Sequence, residues 1–336
     1  MLKILVTGGL GFIGSNFCRH VITKHPNNEI INLDKIGIGA NPASLRDLQK
    51  EKRYTFIKGD VCDPELVEKI VKKVDAIVNF AAETHVDRSI ADPGAFIQND
   101  TFGTFTILES MRKHNPKARL VQVSTDEVYG DIPEGSFNEK EAPKPSNPYS
   151  AAKASADMFV QAYCRTYNLD ASITRCTNNF GPYQFPEKLI PKTIIRALKN
   201  LQIPIYGTGR NIRDWLFVQD HCAAIDLVRE KGKPGEIYNI SSGNELTNLE
   251  IVKKILDLLG KKEDLISFIE DRPGHDMRYS LDSSKLRSTL GWKPKFAFTK
   301  ALETTVNWYR DNEKWWKSLA TKEVLSPAPW KTSGKK

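Results

Sequence analysis

Thr7-Gly-Gly-Leu-Gly-Phe-Ile-Gly14 closes a short apolar run, Ile4 to Thr7, and opens onto a helical pattern, Ile13 to Lys24. Gly9, Gly11 and Gly14 fit the spacing G-x-G-x-x-G in the strand, turn and helix setting that the motif requires. Backbone without Cβ atoms can approach a pyrophosphate, and the unpaired N–H groups and dipole of a helix N-terminus favour its charge. Twenty residues beyond Gly14, Asp34 ends a second strand-like run, Glu29 to Asp34. A carboxylate there can accept hydrogen bonds from a ribose diol and would repel a 2′-phosphate. The stretch predicts a dinucleotide site that takes NAD rather than NADP, against the plainer reading of a tight turn with an acidic cap. Asp60 and Val61, after the third strand-like run, are expected near the adenine edge, although Asp60 alone also suits a simple turn.

The alternation continues through Tyr54 to Ile57, Pro64 to Lys73, Ala76 to Phe80, Gly94 to His114, Leu120 to Ser124, Ser150 to Tyr167 and Ala171 to Arg175. That order predicts an α/β fold with a doubly wound, mostly parallel Rossmann sheet. Beyond about residue 180, clusters of Pro, Gly and aromatic residues predict a smaller C-terminal substrate-binding lobe. The expected division is 1–180 for the NAD-binding domain, 181–325 mainly for the lobe and 326–336 for a flexible tail, with chain returning to the first domain near 212–240. Ile203 to Tyr206 and Ile237 to Ile240 are expected to touch the main sheet, and Asp214 to Glu230 to supply a returning strand and helix.

A chain of 336 residues that is 40% hydrophobic can bury a large core. No run approaches the ~20 apolar residues of a membrane span, and the first apolar run is too short for a signal peptide, so a soluble cytoplasmic protein without a membrane partner is expected. The net charge of +8 comes from basic residues spread among nearly as many acidic ones, which argues against nucleic acid and suits a small anionic substrate. Five cysteines without a Cys-x-x-Cys pair favour neither disulfides nor a metal site.

Tyr149 and Lys153 are spaced i, i+4 in a helical run, which puts both on one face. A phenol with a pKa near 10 is a poor base at neutral pH. An ammonium about 5 Å away at an effective dielectric of ~20 would favour the phenolate by about 3 kcal/mol. Thr125, Asp126 and Glu127 follow at the end of the preceding strand, where open α/β sheets bind ligands.

The glycine turn, Thr125, Tyr149 and Lys153 together resemble the extended short-chain dehydrogenase/reductase superfamily. Ala81 to Ser89, Ser124 to Gly130, Asn178 to Leu189 and Asp271 to His275 narrow the likeness to its dTDP-glucose 4,6-dehydratase family, over about residues 2 to 315. The resemblance implies that Tyr149 takes the O4 proton of a nucleotide-linked hexose as the C4 hydride leaves for NAD. Glu127 would remove the C5 proton, Asp126 would protonate the departing C6 hydroxyl, and the hydride would return to C6. Asp126 must then be protonated, which burial and the Glu127 charge would promote.

The resemblance extends the cofactor site to Gly8, Gly11, Phe12, Ile13, Gly14, Asp34, Lys35, Asp60, Val61, Ala81, Ala82, Tyr149, Lys153 and Asn179. For the nucleotide-sugar substrate it implies Thr84, Thr125, Asn178, Lys188 and Leu189 near the sugar and diphosphate. Arg213, Arg272 and His275 fall on the phosphate side, and Pro204, Tyr206 and Asn248 around the nucleoside. Two departures stand out: Lys35-Ile-Gly-Ile-Gly-Ala40 where an aromatic residue and a threonine are usual, and Asp100 where Asn is usual. The apolar surface of Gly94 to His114 and Ser150 to Tyr167 implies a homodimer through a four-helix bundle. The alternatives are a 4-epimerase or decarboxylase of the same superfamily, and a non-catalytic NAD-binding regulator.

Overall fold

The computed structural model describes residues 1–271 and 274–326. The first half alternates strand and helix: β1 (Lys3–Thr7), α1 (Phe12–Lys24), β2 (Glu29–Asp34), β3 (Tyr54–Lys58), α2 (Pro64–Val71) and β4 (Ala76–Asn79). Next come α3 (Val86–Ala91), α4 (Pro93–Phe96), a π-helical stretch (Ile97–Phe102), α5 (Gly103–His114), β5 (Arg119–Thr125), α6 (Pro148–Tyr167) and β6 (Ala171–Cys176). The rest comprises β7 (Asn178–Phe180), α7 (Leu189–Leu198), β8 (Ile203–Tyr206), β9 (Ile212–Phe217), α8 (Val218–Lys231), β10 (Ile237–Ile240), β11 (Glu245–Thr247) and α9 (Asn248–Leu259). It ends with β12 (Ile266–Ile269), α10 (Ser284–Leu290), α11 (Phe298–Asp311) and α12 (Glu313–Trp316).

Seven parallel strands form the main sheet in the order β10-β6-β5-β4-β1-β2-β3. From β1 the chain runs outward through β2 and β3, then restarts at β4 on the other side, so the strand order reverses between β1 and β4. The crevice beyond their carboxyl ends is the ligand position of such sheets. One face packs under α1 and α8, with Phe17, Val21, Ile225 and Val228 buried; the other packs under α2, α5 and α6, with Val67, Ile107, Met111 and Val160 buried. Strands covered on both faces read as continuous apolar runs, as in Ile4-Leu-Val6.

Ile237–Ile240 pairs with β6 in the main sheet, whereas Ile203–Tyr206 does not reach it. That strand pairs with β12 in a separate two-stranded sheet, and Ile203 and Ile205 pack with Val252 and Leu256 of α9. The segment from Asp214 to Glu230 divides in two. Its helix, α8, covers the main sheet, while its strand, β9, joins β7 and β11 in a three-stranded sheet. The reason is register: β9 takes the partner that β7 offers once the chain has left β6. The expected helix from Gly94 is also interrupted by its π-helical stretch. No helix among the described residues is long and apolar enough to cross a membrane.

Candidate active site

Gly8 has φ +66°, and a Cβ there would stand 2.8 Å from the Ala81 nitrogen; one on Gly14 would collide with the Gly8 oxygen. The turn therefore closes only without side chains. Gly11 caps α1 with no side-chain hydrogen bond, which leaves first-turn N–H groups for whatever enters the pocket. Gly9 belongs to packing instead: its N–H donates to Asn32 Oδ1 at 3.1 Å, and it is absent from the pocket lining.

The pocket runs across the crevice and is lined by Gly8, Gly11, Phe12, Ile13, Gly14, Asp34, Lys35, Asp60, Val61, Ala81 and Ala82. Thr84, Thr125, Asp126, Glu127, Tyr149, Lys153, Asn178, Asn179 and Lys188 line it too. Asp34 accepts from the Leu10 N–H at 3.0 Å and the Ile36 N–H at 2.8 Å, which uses part of its carboxylate and leaves further lone pairs. Burial raises its pKa. Lys35 donates to Asn99 Oδ1 and lies 3.5 Å from Asp60 Oδ2, so its head spans the Asp60 end of the pocket. Buried oxygens of Asp126, Asn178, Asn179, Thr177 and Gln184 lack hydrogen-bond partners, and all five residues face this pocket. A dinucleotide's ribose and amide donors fit such a lining.

At the end of β5, Thr125 begins a 3₁₀ turn, Asp126–Tyr129, and accepts from the Glu127 N–H at 3.3 Å. This turn sets Asp126 and Glu127 side by side opposite the first turn of α6. Asn147 caps α6 in a reciprocal pair with Ser150, and Pro148 occupies the first turn, so Tyr149 is placed by a well-determined helix start. Burial and then the Glu127 charge push the Asp126 carboxyl well above the usual range, favouring its protonated form. Its Oδ1 accepts from Thr125 Oγ1 at 3.1 Å.

Tyr149 does not follow the simple lysine argument. Burial, then Glu127 and Asp100, drive its pKa well above that of a free phenol, against a lowering hydrogen bond with Thr125. Lys153 donates to the Val123 carbonyl at 2.7 Å. For a phenol only 7% exposed beside two carboxyl groups, desolvation outweighs the attraction of a neighbouring ammonium.

Several expected substrate contacts lie apart from this pocket. Arg213 is stacked on Tyr279 at 4.3 Å and donates to the carbonyls of Ile212, Asp276 and Met277, so its planar fork is largely spent on backbone. Tyr206 donates to Asp87 Oδ2 at 3.1 Å, and His275 Nδ1 lies 2.6 Å from Asp271 Oδ1. Pro204 sits in β8, Asn248 opens α9, and Leu189 opens α7 against the core. None of these lines the main pocket. Arg272 lies outside the described residues. Glu83, Asn99, Cys176, Thr177, Gln184, Phe185 and Glu187 line the pocket without having been singled out. Most fall inside or beside the strings that carried the resemblance, and proximity to those strings was the available signal.

A family model described as GDP-mannose 4,6 dehydratase matches residues 5–305. The chain belongs to this family. Over 332 residues it is 46% identical to a dTDP-glucose 4,6-dehydratase of Streptomyces niveus, with 98% of each chain covered. The dTDP-glucose 4,6-dehydratase of Streptomyces venezuelae, solved with NAD bound, superposes with a TM-score of 0.93 at 45% identity, covering 95% of this chain and 100% of that one. The Bacillus anthracis dTDP-glucose 4,6-dehydratase, also solved with NAD, gives 0.89 at 46% identity over the same shares. Family membership thus agrees with the pocket at the strand-order reversal and with the all-parallel sheet.

Proposed function

We propose that this chain catalyses the NAD-dependent 4,6-dehydration of dTDP-glucose to the 4-keto-6-deoxy sugar. The observation that carries the reading is the Asp126–Glu127 pair set against Thr125 and Tyr149 on one pocket wall. Exchange of configuration at C4 needs one proton-transfer group, whereas loss of water across C5 and C6 needs a further base and a further acid. When bound, NAD supplies a reversible hydride acceptor and a positively charged ring. Tyr149 would take the O4 proton once the positive charges of Lys153 and the bound ring offset the burial and the Glu127 and Asp100 charges that hold its phenol protonated. Glu127 accepts the C5 proton, which the 4-ketone has made acidic. Asp126, held protonated by burial and by Glu127, gives its proton to the C6 hydroxyl, which leaves as water.

Incubation with dTDP-glucose is expected to give a 4-keto-6-deoxy product, read by its absorbance in alkali. Recovery of a C4 epimer alone would refute the dehydratase reading, and no conversion of any nucleotide sugar would favour a binding protein. Equal turnover of UDP-glucose would remove the thymidine preference. The reaction suits a cytoplasmic enzyme acting on soluble nucleotide sugars.

A homodimer is proposed on the paired faces of α5 and α6 and the π-helical stretch. Ile97 is 60% exposed and Met158 54%, with Phe102, Phe159 and Tyr167 exposed beside them, far more apolar surface than a helix pair leaves in water. Light scattering is expected to give twice the chain mass, and Met158→Asp to lower it; a monomeric wild type contradicts the proposal.

A further inference from the structure

The helix entered at Pro93 widens to π register over Ile97–Phe102 and returns to α register at Gly103. Such widenings are costly and recur at functional sites. This one is pinned on two sides. Thr101 Oγ1 donates to the Ala152 carbonyl at 3.1 Å, and Thr104 Oγ1 donates to the Asp100 carbonyl at 2.7 Å. Between these ties the stretch carries Asp100, which is 1% exposed. Its Oδ1 accepts from the Glu83 N–H at 2.7 Å, while its Oδ2 is buried without a hydrogen-bond partner. A bare buried carboxyl oxygen is destabilising unless another demand keeps it there.

The groups around it supply that demand. From α6 come Lys153 and Tyr149, from the segment after β4 comes Glu83, and from the segment after β2 comes Lys35. Glu127 from the 3₁₀ turn and Cys176 from β6 act on the same Tyr149. Burial pushes the Asp100 carboxyl up to about 7, against Lys153, the Glu83 N–H and Lys35, which draw it down. The Thr101–Ala152 tie packs the stretch that carries Asp100 against the turn of α6 that carries Tyr149 and Lys153.

We propose that Asp100 is a positioning residue of the proton-transfer pair: it anchors the pocket wall through the Glu83 amide, and its charge sets how readily Tyr149 releases its proton. This rests on the reading of Tyr149 as the base. Negative charge on Asp100 opposes the phenolate, whereas neutral Asp100 does not. As pH rises, loss of the Asp100 proton holds Tyr149 back, so activity climbs over a wider pH span than a single ionisation gives.

The test uses the full chain with dTDP-glucose and compares the wild type with Asp100→Asn, which keeps the size and the Oδ1 acceptor but removes the charge. Turnover and reduction of bound NAD are both followed against pH. In the variant the acid limb is expected to move down by roughly half to one pH unit, about a three- to tenfold change in relative rate on that limb, and to steepen to a one-proton slope. A limb unchanged in midpoint and slope overturns the proposal. So does a uniform fall in rate at every pH, the mark of a merely structural role, or a wild-type limb that already has a one-proton slope. If the wild type fails to turn over, the functional reading fails separately. Tyrosinate absorbance, taken as the difference from Tyr149→Phe, then still reports whether Asp100→Asn lowers the pKa of Tyr149, and no lowering overturns the proposal.

Discussion

Asp226 on α8 and Asp126 at the end of β5 are both buried carboxyls, and the fold treats them in opposite ways. Asp226 Oδ2 meets Lys24 at 2.7 Å, His25 at 2.8 Å and His20 at 3.3 Å, and its Oδ1 receives Arg229 Nη2 at 2.7 Å. Burial works to raise its pKa, but the bonds from His20, Arg229, Lys24 and His25 prevail and hold it well below the usual carboxylate range. Asp126 has one hydrogen bond, a bare second oxygen and a like charge beside it. The first arrangement clamps α1 to α8 and has no room for a reaction. The second is unfavourable at rest, and that underpairing favours the protonated form that the proposed role of Asp126 as acid requires.

The contrast breaks most sharply at the catalytic pair. Glu127→Gln is expected to lower dehydration by about 10²- to 10⁴-fold while bound NAD is still reduced by substrate. Normal release of the 4-keto-6-deoxy product by that variant would remove Glu127 from its role. On the other side, Asp226→Ala leaves Arg229 buried without its main partner and is expected to cost about 3 to 5 kcal/mol of stability, read by chemical denaturation. A loss under about 1 kcal/mol would place the seam's stability in apolar packing instead.

The smallest effect concerns His221, also on α8, whose two ring nitrogens are buried without partners. Burial lowers its pKa to about 3. Because the folded value lies below the unfolded one near 6.5, the unfolded chain binds the extra proton in that window. Stability is complete above about pH 6.5 and falls toward pH 3, by up to ~1.4 kcal/mol per pH unit. His221→Leu is expected to flatten stability between pH 6.5 and 5, above the range in which Asp226 is protonated. An unchanged slope would assign the acid sensitivity elsewhere.

What the sequence revealed depended on how local the controlling contacts are. The turn from Thr7 to Gly14 is decided within a few residues, so the helix start that places Gly11 could be read directly, whereas the Asn147 cap starts α6 two residues before the Ser150 that the pattern suggested. Ile203–Tyr206 reads as a strand touching the main sheet and is not one, because its partner β12 lies some 60 residues on and short apolar strands look alike. Arg213 reads as a phosphate ligand, and the pattern gives no sign that its guanidinium also engages the carbonyls of Asp276 and Met277. The π register leaves the apolar periodicity of Gly94 to His114 almost untouched, so nothing in the pattern marked it. Asp100 was visible only as a departure from the family habit.

A single residue, Thr177, joins β6 in the main sheet to β7 in the three-stranded sheet, and its N–H donates to Ile240 of β10 at 3.1 Å. The two sheets share a seam one residue wide, tied to the edge of the larger one. Modular exchange is correspondingly restricted: a chimera that grafts a relative's C-terminal lobe at this point would sever the strand run that carries Asn178 and Asn179 into the pocket. Crossovers that respect the fold belong in the exposed loops, with β6, β7 and β9 inherited from one parent.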